Sequence, residues 1–157
     1  MTPNLMKVCT EMATRSTIAL EYADGTVKQI YCHYDGYIEN NGKILQEQYT
    51  NPDKLNKIIE LGDLSSLGMD IGTKHDFDYY GTDICTFYGR DRNEDNVEPN
   101  QFKDFNDYLE NHRQEEYNYI LRLIDGQPVW FVSHYESQDR FETLTQALNR
   151  VAVDSLK

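Results

Sequence analysis

The chain has 157 residues, of which 27% are charged and 39% hydrophobic, and this length and composition suit one soluble domain with a sizeable core. Its 27 acidic and 15 basic side chains give a formal net charge of -12, a field that repels nucleic-acid phosphates and anionic membranes and attracts basic surfaces. The negative charge therefore disfavours direct nucleic-acid binding. No stretch has the apolar length of an export signal or a membrane span, so a membrane role is disfavoured as well.

A β-hairpin is predicted at residues 14–33. Two strand-like runs, TRSTIALEY (14–22) and TVKQIYCH (26–33), flank Asp24-Gly25, which is a strong turn signal because both central positions of a two-residue turn need positive φ. Such a turn would pair Glu21 with Lys28 and Ile18 with Tyr31. One face of the hairpin would then carry the apolar residues Ile18, Leu20, Tyr22, Val27 and Tyr31, with His33 at its open end.

Two helices are predicted in the next segment, one at 42–50 and one that begins at Asn51-Pro52. Asn51 suits the N-cap, Pro52 the first helical position and Gly62 the residue after the helix. An irregular connection at 63–81, a strand at 82–88 and a solvated loop at 90–100 follow.

The last third of the chain predicts a helix at 101–112, a second hairpin around Asp125-Gly126 with strands 117–124 and 129–135, and a helix from about residue 137 onward. The resulting order, β-β-α-α-β-α-β-β-α, predicts a single α+β domain over residues 1–157. Its mainly antiparallel sheet would contain the two Asp-Gly hairpins and a further strand, with about four helices around it. Residues 1–12 are expected to be flexible.

The three cysteines, Cys9, Cys32 and Cys85, lie far apart in the sequence and form no CxxC motif. An odd number of cysteines without a signal peptide predicts reduced thiols in the cytoplasm.

A first candidate site lies in YCHYDGYIENNG (31–42), where a strand ends in His33, Tyr34, Asp35 and Tyr37. A histidine beside a carboxylate can act as an acid/base pair or orient the polar atoms of a ligand. The same residues are also compatible with a polar Asp-Gly turn beside a histidine at the rim of the core, and this simpler interpretation is favoured.

Two further residues, Arg90 and Arg92 in FYGRDR (87–92), extend this candidate. They could form a fork for a phosphate or carboxylate, or they could pair with neighbouring acidic side chains. Because both segments leave strands, we expect His33 and Asp35 to stand at one rim of the sheet beside Arg90. The ligand-binding set predicted from the sequence is therefore His33, Tyr34, Asp35, Tyr37, Arg90 and Arg92.

A second candidate is an acidic surface between residues 91 and 116. Spaced carboxylates can imitate a phosphate backbone and occupy a basic groove, although most acidic surfaces serve solubility alone. The predicted partner-binding residues are Asp91, Glu94, Asp95, Asp104, Asp107 and Glu110.

Signals for catalysis and for metal binding are weak. His75-Asp76-Phe77-Asp78 places three potential ligands together, but no second cluster has recognisable ligand spacing. GxSxG, a glycine-rich phosphate loop and HExxH are all absent from the sequence. The sequence therefore predicts no catalytic residue, no metal and no cofactor.

Five segments together carry a resemblance to a protein family. They are STIA (16–19), DGTV (24–27), CHYDGY (32–37), GDLSSLG (62–68) and YGRDR (88–92), and the last continues as NED where the family pattern reads GE. With these segments the chain resembles a set of small uncharacterised proteins encoded by tailed bacteriophages and prophages. The resemblance implies an accessory protein in the cytoplasm of the infected bacterial host, and it brings no established catalytic residues.

Three hypotheses for function follow. The leading one is that the chain binds and inhibits a basic host or anti-phage defence protein through its acidic surface. The alternative is a binder, or sponge, of a small nucleotide-like ligand that uses the first candidate site. A metal-dependent hydrolase comes third, so an enzyme is the less favoured class.

Overall fold

The computed structural model describes residues 13–78, 83–135 and 140–156. These residues form eight strands: β1 (Ser16–Glu21), β2 (Val27–Cys32), β3 (Leu64–Ser66), β4 (Thr86–Phe87), β5 (Asn100–Phe102), β6 (Tyr117–Ile124), β7 (Gln127–His134) and β8 (Glu142–Thr143). They also form five α-helices: α1 (Lys43–Gln48), α2 (Pro52–Leu61), α3 (Tyr88–Arg92), α4 (Phe105–Asn111) and α5 (Leu144–Asp154). A π-helical turn, Ile38–Gly42, leads directly into α1.

All eight strands belong to one mixed sheet in the order β4-β3-β2-β1-β6-β7-β8, and β5 pairs with the first half of β2. Two neighbouring pairs, β1 with β6 and β2 with β3, are parallel, and the others are antiparallel. The fold is thus a single-domain α+β fold with a mostly antiparallel sheet, which confirms the fold class predicted from the sequence.

The first hairpin forms, but its predicted register is wrong by one residue. Glu21 pairs with Val27 and Ile18 with Ile30, because the turn has three residues, 23–25, and not two. The N–H of Gly25 donates to the carbonyl of Tyr22 (2.9 Å), and only Gly25 in this turn has positive φ (90°). A one-residue shift moves Val27, Tyr31 and His33 to the face opposite Ile18 and Leu20.

The second hairpin has the two-residue turn that its sequence predicts. Asp125 and Gly126 both have positive φ, 52° and 80°, and Ile124 pairs with Gln127 on either side of them. Pro128 pairs with Leu123 in the next position, so the alternation of an antiparallel ladder directs the missing N–H of Pro128 away from β6.

The two faces of the sheet support cores of different size. The major face packs against α1, α2 and α5 around Ile18, Leu20, Tyr119 and Trp130. The minor face carries a smaller cluster that α4 covers, formed by Ala19, Val27, Phe102, Tyr108 and Ile120.

Between residues 63 and 112 the sequence-based assignment misses several elements. The predicted irregular connection contains β3, and α3 covers the end of the predicted strand and the start of the predicted loop. The predicted helix 101–112 is replaced by the end of the strand β5 and the shorter α4. The strand predicted at 82–88 is only the two-residue β4. Elements this short, of two to seven residues, carry too few side chains for a periodic pattern to emerge.

Residues 1–12 and Cys9 lie outside the described residues, so the expected flexible segment stays a prediction. Cys32 and Cys85 are free, buried thiols. Within the described part of the chain, no helix has both the length and the apolar character needed to span a bilayer.

Candidate functional site

Arg90 is held inside the protein by a complete set of hydrogen bonds. Its Nη1 donates to the carbonyls of Ile71 (2.8 Å) and Gly72 (3.0 Å), and its Nη2 donates to the carbonyl of Cys85 (2.9 Å). Its Nε and Nη2 also donate to the two carboxylate oxygens of Asp91, at 3.0 and 3.1 Å. An arginine has five N–H donors, so all of them are used within the chain.

Asp91 is the ion-pair partner of Arg90, and its side chain has no exposed surface. Besides Arg90, its carboxylate accepts the backbone N–H groups of His75 and Phe87, each at 2.8 Å. Burial alone would raise the pKa of Asp91, but the hydrogen bonds from Arg90, Phe87 and His75 outweigh it and lower that pKa. The pair therefore fastens the 71–75 segment to β4 and satisfies the open edge of that strand.

These contacts give Arg90 and Asp91 an internal role. Arg90 has no donor left for a ligand, and Asp91 presents no surface to a partner. The ends of β2 and β4 lie in one row of the sheet, because Cys32 and Phe87 both pair with Leu64, although the two strands run in opposite directions. All donors of Arg90 bind other groups and none binds His33 or Asp35, so the expected shared rim of these three residues stays a prediction.

Arg92 lies two residues further along α3 and is half exposed. Its guanidinium forms an ion pair with Glu94 (3.1 Å) and lies 4.8 Å from the ring centre of Phe77. This is the surface salt bridge that the sequence offered as the alternative to a phosphate fork.

His33 continues β2 on the minor face, two residues after Tyr31. Its Nδ1 lies 2.7 Å from the Tyr31 hydroxyl, and its ring meets the ring of Tyr34 edge-on with centroids 4.5 Å apart. Burial and the positive charge of Arg15 lower the pKa of His33, which favours the neutral imidazole near pH 7. The histidine is thus packed at the rim of the sheet and hydrogen-bonded to a tyrosine.

Asp35 and Tyr37 belong to the chain crossing that follows His33. Asp35 has positive φ (57°), and its carbonyl accepts hydrogen bonds from the Asn41 N–H (3.3 Å) and Asn40 Nδ2 (3.1 Å). Tyr37 precedes the π-helical turn and is 38% exposed. Within the predicted ligand-binding set, His33 contacts Tyr34, and no hydrogen bond, ion pair or ring contact among the described residues joins His33 to Asp35, Tyr37 or Arg90.

Two residues outside the predicted ligand-binding set extend the contacts of His33: Tyr31 contacts His33, and Arg113 contacts Tyr31. The Arg113 guanidinium lies 4.1 Å from the ring centre of Tyr31 and forms an ion pair with Glu115 (2.7 Å). The backbone N–H of Tyr31 donates to Asp63 Oδ1 at 2.9 Å. Strand alternation predicts that Tyr31 and His33 share a face, because residues i and i+2 do so, but no local signal connects Arg113 with residue 31.

The predicted acidic residues fall into groups with different roles. Asp104 caps α4 by accepting the Asp107 N–H (2.8 Å), and the Asp107 carboxylate accepts the Lys103 N–H (2.9 Å) and Asn111 Nδ2 (2.7 Å). The hydrogen bond from the Lys103 backbone lowers the pKa of Asp107, so this carboxylate stays charged near pH 7. Glu94 is paired with Arg92, while Asp95 and Glu110 are simply exposed.

Exposed and partly exposed carboxylates flank β5, which lies along the outer side of β2. The loop before β5 carries Glu94, Asp95 and Glu98, and the segment after it carries Asp104, Asp107 and Glu110. We call these six residues the acidic margin. Glu98 enters the set because the loop that holds it is exposed throughout 92–96 and again at 98.

A shallow groove of about 480 Å³ lies between the turn of the first hairpin and β5. Its lining includes Tyr22, Lys28, Gln101, Phe102 and Lys103. The Lys28 ammonium lies 5.5 Å from the ring centre of Tyr22. None of the residues of the ligand-binding set predicted from the sequence lines it.

The 75–78 cluster has structural contacts of its own, since His75 Nδ1 lies 2.8 Å from Thr86 Oγ1 and Asp76 accepts the Asp78 N–H. Among the described residues, no group of three or more histidine, cysteine, aspartate or glutamate side chains is placed to hold a metal ion. No protein-family model, curated protein or solved structure matches this chain.

Proposed function

We propose that this chain is a phage-encoded binding protein that acts in the cytoplasm of the infected bacterium and blocks a basic host or defence protein. The acidic margin is the surface that it presents. The phage origin rests on the sequence resemblance, and the basic character of the partner rests on charge.

One observation carries the proposal: Asp95, Glu98 and Glu110 are exposed, and no described residue forms a hydrogen bond or ion pair with their carboxylates. Charges that stabilise a fold are normally paired or capped, as Asp91, Asp104 and Asp107 are here. Because these three carboxylates form no hydrogen bond or ion pair with the described residues, they are available to a partner.

The formal net charge of -12 strengthens this argument because it acts over distance. A strongly acidic protein attracts a basic surface before contact, and this attraction raises the association rate by about 10-fold or more at low salt. The effect is screened over about 8 Å at physiological ionic strength.

The test compares two triple variants with the same change in charge. The margin variant, Asp95→Asn, Glu98→Gln and Glu110→Gln, removes the unengaged carboxylates and leaves the caps of α4 intact. The control variant, Glu47→Gln, Asp53→Asn and Asp125→Asn, removes three exposed carboxylates elsewhere. Both variants and the wild type would be immobilised and used to capture proteins from lysate of phage-infected bacteria, with quantitative mass spectrometry.

A partner captured by the wild type and the control variant, and lost by the margin variant, supports the proposal. Association kinetics with that purified partner should then show a rate that falls with added salt and a drop of about tenfold for the margin variant. Equal capture and equal salt dependence for all three proteins would show that the margin serves only solubility.

A second candidate function, binding of a small nucleotide-like anion, is favoured by the groove that contains Lys28 and Lys103. The ammonium groups would receive phosphate, and Tyr22 or Phe102 would face the base. Calorimetric titration with ATP tests it: binding that Lys28→Ala and Lys103→Ala abolish together supports this function, and absence of heat up to millimolar ATP refutes it.

A further inference from the structure

The exits of β2 and β7 and the starts of β1 and β6 lie at one end of the sheet. Ser16 pairs with both Cys32 and Tyr117, and Tyr117 pairs with His134, so these four residues form one row across four strands. The chain that follows Cys32 crosses this end of the sheet. Its segment Tyr34–Glu39, the crossing segment, therefore lies at this end of the sheet.

Hydrogen bonds fix the backbone of this crossing. The N–H of Tyr34 donates to the Ser65 carbonyl (2.9 Å), and the N–H of Gly36 donates to the Thr14 carbonyl (2.8 Å). The Gly36 carbonyl accepts the hydroxyl of the buried Tyr119 at 2.6 Å. A Cβ on Gly36 would come within 2.6 Å of the Ser16 Cβ, so the crossing packs directly on the sheet.

The crossing segment exposes two tyrosines that the fold does not need for its core. Tyr34 and Tyr37 are 37% and 38% exposed, whereas Tyr49, Tyr108 and Tyr119 are fully buried. Aromatic side chains on a fixed backbone are the usual anchors of protein interfaces, because little conformational entropy is lost when a partner covers them.

The electrostatic environment of Tyr37 indicates the kind of group that it would contact. Burial and the negative charges of Asp35 and Glu39 raise the pKa of Tyr37, so both carboxylates act on this ring. Both are exposed, and no hydrogen bond or ion pair joins either carboxylate to a side chain or N–H among the described residues. Exposed aromatic rings with exposed, unpaired carboxylates beside them in the chain favour a lysine ammonium or an arginine guanidinium.

We propose that Tyr34, Asp35, Tyr37 and Glu39 form a subsite for an arginine or lysine side chain of the partner. This inference rests on the proposed function in taking the partner to be basic, but it places a second contact away from the acidic margin. The margin flanks β5 beside Val27–Gln29, whereas the crossing segment follows the other end of β2. A strand of six residues spans about 20 Å, so one partner surface of ordinary size could cover both.

The experiment uses the full-length, ¹⁵N-labelled protein and a defined probe, N-acetyl-arginine-methylamide. Its matched neutral probe is N-acetyl-citrulline-methylamide, which has nearly the same shape and no charge. Amide shifts would be followed by NMR during titration of each probe into the millimolar range. Weak saturable shifts at residues 34–39 with the arginine probe, and none with the citrulline probe, are expected.

Variants at residue 37 distinguish a contribution of the aromatic ring to binding from a contribution of side-chain size. Tyr37→Leu should lower the association constant of the arginine probe about two- to fivefold, whereas Tyr37→Phe should leave it unchanged because the aromatic face persists. Asp35→Asn should weaken binding without strain, since asparagine tolerates positive φ. Ile124→Ala, at an equally exposed position (37%) next to the turn of the second hairpin, is the matched control and should have no effect.

Shifts confined to residues 94–110 would overturn the subsite and leave the acidic margin as the binding surface. Shifts at 34–39 that the citrulline probe reproduces, or that Tyr37→Leu leaves intact, would overturn the choice of a cation. Absence of shifts at residues 34–39 with both probes would overturn the subsite itself. The proposed function fails on different evidence, namely when the margin variant captures the same proteins as the wild type.

Discussion

Replacing Arg90 should destabilise the protein strongly, even though the sequence alone suggests a surface arginine near a ligand. The Arg90 side chain is 11% exposed and that of Asp91 is fully buried. Arg90 donates two hydrogen bonds to the Asp91 carboxylate. Arg90→Met keeps the length and apolar character of the stem but removes every donor. The Asp91 carboxylate would then be buried with only the N–H groups of His75 and Phe87 as donors.

The expected loss in the free energy of unfolding follows from the groups that lose their partners. Three backbone carbonyls, those of Ile71, Gly72 and Cys85, would each lose a charged donor, and one carboxylate would lose its counter-charge. Breaking a buried ion pair from one side costs about 3–5 kcal/mol in the free energy of unfolding. For a domain of this size each kcal/mol lowers the melting temperature by about 2–4 °C, so we expect a drop of about 10 °C.

Arg92→Met is the matched control, because Arg92 lies in the same helix and also combines an ion pair with an aromatic contact. Since it is half exposed, its loss should cost less than about 1 kcal/mol. Urea unfolding followed by circular dichroism measures both variants. If Arg90→Met is no more destabilising than Arg92→Met, the internal role derived for Arg90 is refuted.

Four further measurements test other parts of the structure. Burial raises the pKa of Cys32 to about 12 and also raises that of Cys85, so both thiols should resist alkylation in the native protein and react in urea; rapid native labelling seen by mass spectrometry would contradict their burial. Because the pKa of His33 is lowered below 6.5, its contribution to stability should be complete above about pH 6.5 and decline at lower pH, and His33→Gln should flatten that decline in urea unfolding between about pH 7.5 and pH 5. Gly36→Ala should cost about 1–3 kcal/mol in the same assay because of the contact with Ser16, and an unchanged midpoint would rule out the close approach. Asp104→Ala should cost about 1 kcal/mol through loss of the α4 cap, whereas Asp95→Ala should leave the free energy of unfolding unchanged.

The sequence predicts the two hairpins correctly because the signal for each is local. Asp-Gly between alternating runs specifies a turn within four residues, and both turns form at the expected places. The register of the first hairpin depends on whether Asp24 also adopts positive φ. The carboxylate of Asp24 accepts the N–H (2.9 Å) and hydroxyl (2.6 Å) of Thr26, an arrangement that accompanies the three-residue turn and that the Asp-Gly pair alone does not specify.

The roles of charged side chains could not be predicted in the same way, because their partners are distant in sequence. Arg90 donates hydrogen bonds to the carbonyls of residues 71 and 72, and Asp91 accepts one from the N–H of residue 75. The sequence of this segment has no regular pattern that would predict these bonds. The neighbours of Tyr31 include Arg113, which loop 112–116 brings over the minor face. Residues that look alike in the sequence, such as Asp91 and Asp95, therefore have opposite environments.

This difference decides how the acidic margin has to be tested. Neutralising Asp104 or Asp107 removes charge and also alters the start of α4, so a loss of binding would have two explanations. Neutralising Asp95, Glu98 and Glu110 removes charge without breaking a hydrogen bond or ion pair, because no described residue forms one with these carboxylates. If binding depends on the field of the margin, the second set should slow association as much per charge as the first, while only the first lowers the free energy of unfolding. A slower association seen only with the first set would instead show that the partner recognises the shape of α4 and not its charge.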